Sequence, residues 1–301
     1  PIANAGTDGL LTCAQPNFTL DGTASSTGAS FQVTWMGAGI TPATQGQISP
    51  LIAQPGLYFL EIKNTSNNCA ARDTVEVLED KTAPLALAPA ALRLDCKTTS
   101  VVLDASQSST GPAFTFLWSG VGITAASKNE VSPSVAQADV YNLLISNLKN
   151  GCTASAVVQV TQDTTLPIAH AGTDQWITCS QPTPLLDGTK SSTGPDFGYL
   201  WQGPGIHTFN YNLQKPVVAD SGTYLLLVTN LLNHCTATDV VLVTQNTEIP
   251  KADAGADQTL TCAVTATSLD GSQSAVGAGI SYMWAGSGIL PSEQSKISPK
   301  V

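Results

Sequence analysis

The sequence predicts an all-β protein built from tandem two-sheet sandwiches, and three observations predict it. Cysteine and tryptophan recur at a fixed 83-residue step. Apolar side chains alternate with a period of two rather than 3.6, as half-buried strands require. Charged residues make up only 11% of the chain, and Gly, Pro, Ser, Thr and Asn fill the segments between the alternating runs.

The repeat comes first, because every other element is placed by it. The same step separates Cys13, Cys96, Cys179 and Cys262, and likewise Trp35, Trp118, Trp201 and Trp284, Asp21, Asp104, Asp187 and Asp270, and Pro1, Pro84, Pro167 and Pro250. A second cysteine follows the first at a constant 56-residue offset: Cys69, Cys152 and Cys235. Residues 1–83, 84–166 and 167–249 are thus expected to be three sandwich domains, with a partial fourth over 250–301. The fourth holds a Trp strand but no Tyr strand or hairpin. Its exposed core is expected to be covered by further chain, with a cysteine near position 318, or by strands from a neighbouring molecule.

Within a repeat, Phe31, Val33 and Trp35 alternate with polar or small neighbours, as do Phe114, Phe116 and Trp118, and Phe197, Tyr199 and Trp201. A second alternating run holds Tyr58, Leu60 and Ile62, matched by Tyr141, Leu143 and Ile145 and by Tyr224, Leu226 and Val228. Asn67-Asn68, Asn150-Gly151 and Asn233-His234 then supply turn chemistry, and a β-branched run such as Val240 to Val243 completes a hairpin. About seven short strands per repeat pack most economically as two sheets face to face. The repeated Trp35, Trp118, Trp201 and Trp284, with Tyr58, Tyr141 and Tyr224, are expected to form the cores.

Residues 171–244 contain Ala-Gly-Thr-Asp, a Leu-Asp-Gly-Thr turn at Leu186 to Thr189, Trp201-Gln202-Gly203-Pro204-Gly205-Ile206 and a Gly222 to Asn230 Tyr strand leading to Cys235. This series resembles the Ig-like and PKD-like repeats of large secreted surface proteins of Bacteroidetes, many of them adhesins. The resemblance covers the whole chain and implies Ig-like or PKD-like sandwiches in a rod-like extracellular array. One departure is plain: WMGAGI, WSGVGI, WQGPGI and WAGSGI stand where PKD repeats carry an FGDG motif.

Paired cysteines in an acidic, Lys-poor chain of this kind most simply form one disulfide within each repeat: Cys13–Cys69, Cys96–Cys152 and Cys179–Cys235, leaving Cys262 unpaired. The sequence has no CxxC or His spacing for a zinc site. Asp21 and its repeats sit in Leu-Asp-Gly or Leu-Asp-Ala turns, where a carboxylate accepts backbone N–H groups. Acidic residues at the joints, Asp80, Asp163 and Asp174 among them, are the candidate calcium ligands, though Ala91 and Asn246 interrupt the pattern. His170, His207 and His234 all fall in the third repeat and read as surface imidazoles. Trp176 has no aromatic counterpart in the other repeats, which makes it the candidate for an exposed contact or a sugar-stacking surface.

Twelve Lys and Arg against 22 Asp and Glu leave a net charge of −10, the wrong sign for binding nucleic acid. No apolar run is long enough to insert into a membrane. No nucleophile elbow, phosphate-binding loop or zinc-protease motif is present, so the expectation is a non-enzyme without a cofactor. The expected role is a structural or adhesive protein of the cell surface, a spacer, adhesin stalk or fibre component. Its expected partners are its own neighbouring repeats or other copies of itself, and a surface glycan or protein. The competing reading is a carbohydrate-binding accessory region of a secreted enzyme.

Overall fold

A computed structural model describes all 301 residues. The first repeat contains β1 (Gly9–Thr12), β2 (Phe18–Thr19), β3 (Phe31–Met36), β4 (Leu51–Ile52), β5 (Gly56–Asn64) and β6 (Ala70–Asp80). The second contains β7 (Ala91–Leu94), β8 (Val101–Val102), β9 (Phe114–Ser119), β10 (Ser134–Val135), β11 (Asp139–Asn147) and β12 (Thr153–Gln162). The third contains β13 (Gln175–Thr178), β14 (Phe197–Gln202), β15 (Gly222–Asn230) and β16 (Thr236–Asn246). The chain is therefore all-β, a tandem of Ig-like sandwiches.

Each full repeat has one four-stranded sheet, in the orders β1-β6-β5-β3, β7-β12-β11-β9 and β13-β16-β15-β14. Opposite it lies a two-stranded ladder, β2-β4 or β8-β10, reduced in the third repeat to a bridge between Leu185 and Val217. The hairpin strands pair antiparallel, but the first strand of every repeat runs parallel to the last: Thr12 lies beside Asp80, Leu94 beside Gln162 and Thr178 beside Asn246. This parallel pairing decides where the cysteines go.

Alternation places one face of each strand in the core. Trp35, Tyr58, Leu60, Ile62, Val75 and Val77 are buried in the first repeat, with the same positions buried in the second and third. Each Tyr ring lies against the glycine two residues after the Trp. A Cβ on Gly37, Gly120 or Gly203 would sit 2.4 Å from the Cδ1 of Tyr58, Tyr141 or Tyr224, so the Trp-x-Gly motif exists to admit the ring. The phenol of Tyr141 donates to the carbonyls of Val121 and Gln137, that of Tyr58 to Ala38 and Gln54. The Asp turns form as their chemistry requires: Asp21 Oδ1 accepts from Thr23 N and Oγ1, and Asp187 Oδ1 from Thr189 in the same way.

Residues 250–301 contain only a bridge between Ser268 and Lys300. Trp284 still donates from Nε1 to the Lys296 carbonyl, as Trp118 does to Glu130. Without a Tyr strand beside it, however, the space next to Gly286 is open to all but a distant Ile289 methyl, and neighbouring Met283 is 86% exposed. The chain divides into two compact units, residues 1–166 with Asn230–Cys235, and residues 167–229 with 236–301.

Candidate functional site at the repeat joints

The structure corrects the expected disulfides. Cys13 bonds to Cys152 and Cys96 to Cys235, each pair 139 residues apart, while Cys69, Cys179 and Cys262 are free and exposed. The first cysteine of one repeat thus joins the hairpin cysteine of the next. Parallel pairing of β1 with β6 explains it: Cys13 follows Thr12, which lies beside Asp80 at one end of β6, whereas Cys69 precedes Ala70 at the other. Eleven residues of strand separate the two ends, about 35 Å at ~3.3 Å per residue. A disulfide needs its Cα atoms within about 7 Å. The hairpin turn of the following repeat supplies the nearer partner.

Around each bond the turn forms a small polar clamp. In the first joint, Asn150 Nδ2 donates to Asp80 Oδ1 and to the Thr82 carbonyl, both at 3.0 Å, while Asn150 Oδ1 accepts from Cys152 N at 3.0 Å. Two acceptors beside the nitrogen and one donor beside the oxygen fix the orientation of the amide. The Asn150 carbonyl also accepts from Ala14 N. Asn233 repeats this on Asp163 Oδ1, the Thr165 carbonyl and Cys235 N, and its carbonyl accepts from Cys96 N. Asn150 and Asn233 are 1% and 0% exposed, so each clamp is a fully paired buried polar group.

The middle residue of the turn must adopt a left-handed backbone, and Asn68, Gly151 and His234 do so at φ 59°, 71° and 56°. Gly151 answers a second demand, because a Cβ there would meet that of Ala14 at 2.4 Å. In the second joint His234 Nδ1 instead lies 3.1 Å from Asp95 Oδ2, an ion pair when the imidazole is protonated. Asp95 and Asp163 are both held down at about 2. For Asp95 the Thr98 backbone N–H is the main cause, with His234 adding to it; for Asp163 the Asn233 amide leads, followed by Thr165.

Of the acidic joint residues, Asp80 Oδ1 and Asp163 Oδ1 each accept from an Asn amide, and Asp174 Oδ1 accepts from Leu242 N. No three His, Cys, Asp or Glu side chains come together. Of the histidines, His170 Nδ1 accepts from Gly172 N and His207 packs its ring near Phe209, leaving His234 at the joint. Trp176 lies on β13 with 56% of its surface exposed. Sequence reasoning took Asn150 and Asn233 for turn residues only; their recurrence with Asn67 at the 83-residue step was the available signal.

No protein-family model matches the chain. It is 26% identical over 265 residues to the mouse dyslexia-associated protein KIAA0319-like protein, an alignment covering 76% of this chain and 25% of that protein; the chain thus spans about a quarter of its relative. Similar solved structures include an I-band fragment from titin, at 13% identity and a TM-score of 0.40 over 79% of this chain and 95% of that one. Sidekick-1 immunoglobulin domains 1–5 match at 13% identity and a TM-score of 0.32, over 81% and 58%. Three N-terminal domains of the bacteriophage RB49 highly immunogenic outer capsid protein match at 11% identity and 0.36, over 79% and 96%.

Proposed function

We propose that this chain is a stretch of an extracellular structural or adhesive surface protein, in which repeats 1–83, 84–166 and 167–249 act as covalently joined spacer domains of a stalk or filament. The observation that carries this reading is the staple at each joint. A disulfide combined with a buried Asn clamp holds consecutive repeats at two points besides the linker, which restricts the inter-domain motion that is otherwise the default and suits a spacer. Disulfides themselves belong to oxidising compartments.

Adhesive contact has a surface to use. The outward faces of the four-stranded sheets expose Leu57, Phe59 and Leu78 in the first repeat, Leu117, Val140 and Val157 in the second, and Val240 and Leu242 in the third. Repetition turns weak contacts of this kind into avidity. The resemblance to Bacteroidetes surface repeats supports the same reading. The second reading, a carbohydrate-binding accessory region, rests on exposed Trp176.

Antibodies raised against residues 1–301 should label unpermeabilised source cells, and protease shaving should remove the label. Signal only after permeabilisation would overturn the surface assignment. Retention on insoluble polysaccharide that Trp176→Ala abolishes would favour the second reading instead.

A further inference from the structure

Asn150-Gly151 is the one Asn-Gly pair in the sequence, and it stands in the first joint. In water such a pair is chemically unstable, because the following backbone nitrogen attacks the Asn side-chain carbonyl and a glycine has no Cβ to shield that nitrogen. The closed joint restrains every group the reaction needs. Asn150 Nδ2, the nitrogen that would leave, is tied to Asp80 Oδ1 and to the Thr82 carbonyl, and Asn150 Oδ1 is turned to Cys152 N. The attacking Gly151 N is itself donated to the Asn147 carbonyl at 2.7 Å. Ala14 packs where a Gly151 Cβ would stand, and Asn150 is 1% exposed, so the water that must complete the reaction is kept out. Opening the joint removes the linker and Ala14 contacts and admits water. The bonds that remain are those of a short surface turn, which opens and closes freely.

We propose that Asn150-Gly151 is a modification site gated by its joint: it stays intact while the Cys13–Cys152 staple is closed, and it converts one way to an acidic residue once the staple is opened. Gly151 N bonds to Asn150 Cγ and gives up its proton, the Cγ–Nδ2 bond breaks, and that nitrogen leaves as ammonia. Water then opens the cyclic imide at either of its carbonyls and leaves an aspartyl or an isoaspartyl unit. The sum is amide plus water giving carboxylate plus ammonium, with no oxidation or reduction. The product carries a carboxylate where the Asn150 amide donated to Asp80 at 3.0 Å. That amide is the main cause that holds the Asp80 carboxyl below its ordinary range, so a stabilising donor is replaced by a like charge. The Thr82 carbonyl loses its donor in the same step. The clamp therefore does not re-form. In the second joint Asn233 is followed by His234, whose side chain shields the backbone nitrogen, so that joint reopens and recloses unchanged.

The test holds the 301-residue chain in mildly alkaline buffer with and without a dithiol reductant and reads the peptide containing residues 150 and 151 by mass. Conversion is expected to be at least about tenfold faster in the reduced chain, the suppression that even a modest opening energy gives a buried group, with Asn233 unchanged in both. Cys152→Ser opens the same joint without reductant and should convert likewise, while adding Gly151→Ala should slow it again. Equal rates in the oxidised and reduced chains, or an Asn150 that persists in both, would overturn the gate. Reduced, half-converted chain is then reoxidised with a glutathione mixture and digested without reduction. Converted molecules should be scarce among those that regain Cys13–Cys152 but not among those that regain Cys96–Cys235. Equal shares in the two, or a freshly reduced and unconverted chain that also fails to reclose, would overturn the one-way step.

Discussion

The turns at Asn150 and Asn67 share their backbone form and their Asn-to-Cys hydrogen bond, yet one is buried against a neighbouring repeat and the other faces solvent. The contrast shows that the turn is a local product of its own residues, complete before anything docks on it. Docking adds the disulfide, the two contacts of the Asn amide and the exclusion of water, and with them the energy. The same turn form therefore carries very different stability weight at different places in the chain.

The largest expected effect that sharpens this contrast comes from the cysteines. Cys152→Ser opens a 139-residue loop, worth up to about 5 kcal/mol by loop-closure entropy, whereas Cys69→Ser should leave thermal unfolding unchanged. Equal shifts from the two variants, or recovery of a Cys13–Cys69 peptide in non-reducing mapping, would break the comparison. Next come the amides. Asn150→Ala leaves the Asp80 carboxylate with only its Thr82 N–H donor and strands the Thr82 carbonyl and the Cys152 N–H, and should cost about 1–3 kcal/mol in denaturant unfolding. Asn67→Ala, on the surface, should stay within about 0.5 kcal/mol.

Gly151→Ala places a side chain in the left-handed region at a cost of about 1–2 kcal/mol and also presses on Ala14, so hydrogen exchange should quicken at that joint. The smallest effect is acid sensitivity. Asp163 is held at about 2, below the ordinary aspartate value of 3.8, so its contribution to stability is complete above that ordinary value and is lost as pH falls towards 2. A carbon-13 titration should find the Asp163 midpoint near 2 and see it rise towards 3.8 in Asn233→Ala, while Asp21, held by its own turn, does not move.

Much of the fold was readable because it is written as periodicity. The 83-residue step, the alternating Trp and Tyr strands and the hairpin turns each follow from spacing and side-chain type alone, and Trp118 and Tyr141 lie where alternation puts them. The joints were not readable in this way. The constant offset from Cys13 to Cys69 is compatible with a bond inside a repeat and with a bond to the next one, and the choice depends on whether the first strand runs parallel or antiparallel to the last. Leu10 and Leu11 in Gly9–Thr12 carry no mark of direction, since a four-residue strand presents the same alternation either way. The clamp residues were hidden for a related reason: Asn150 is a good turn residue on its own, and its burial arises from a linker 70 residues away.

The overlap of the two staples has a mechanical consequence. Each disulfide loop encloses one foot of the other, because Cys96 lies between Cys13 and Cys152, and Cys152 between Cys96 and Cys235. Tension applied beyond Cys13 and Cys235 can cross from Cys13 to Cys152, run back along the chain to Cys96, and cross again to Cys235. Even with every strand pulled out, that path extends to only about 200 Å at ~3.5 Å per residue. Lengthening beyond that limit requires a sulfur–sulfur bond to break, so the staples act as a built-in stop against overstretching.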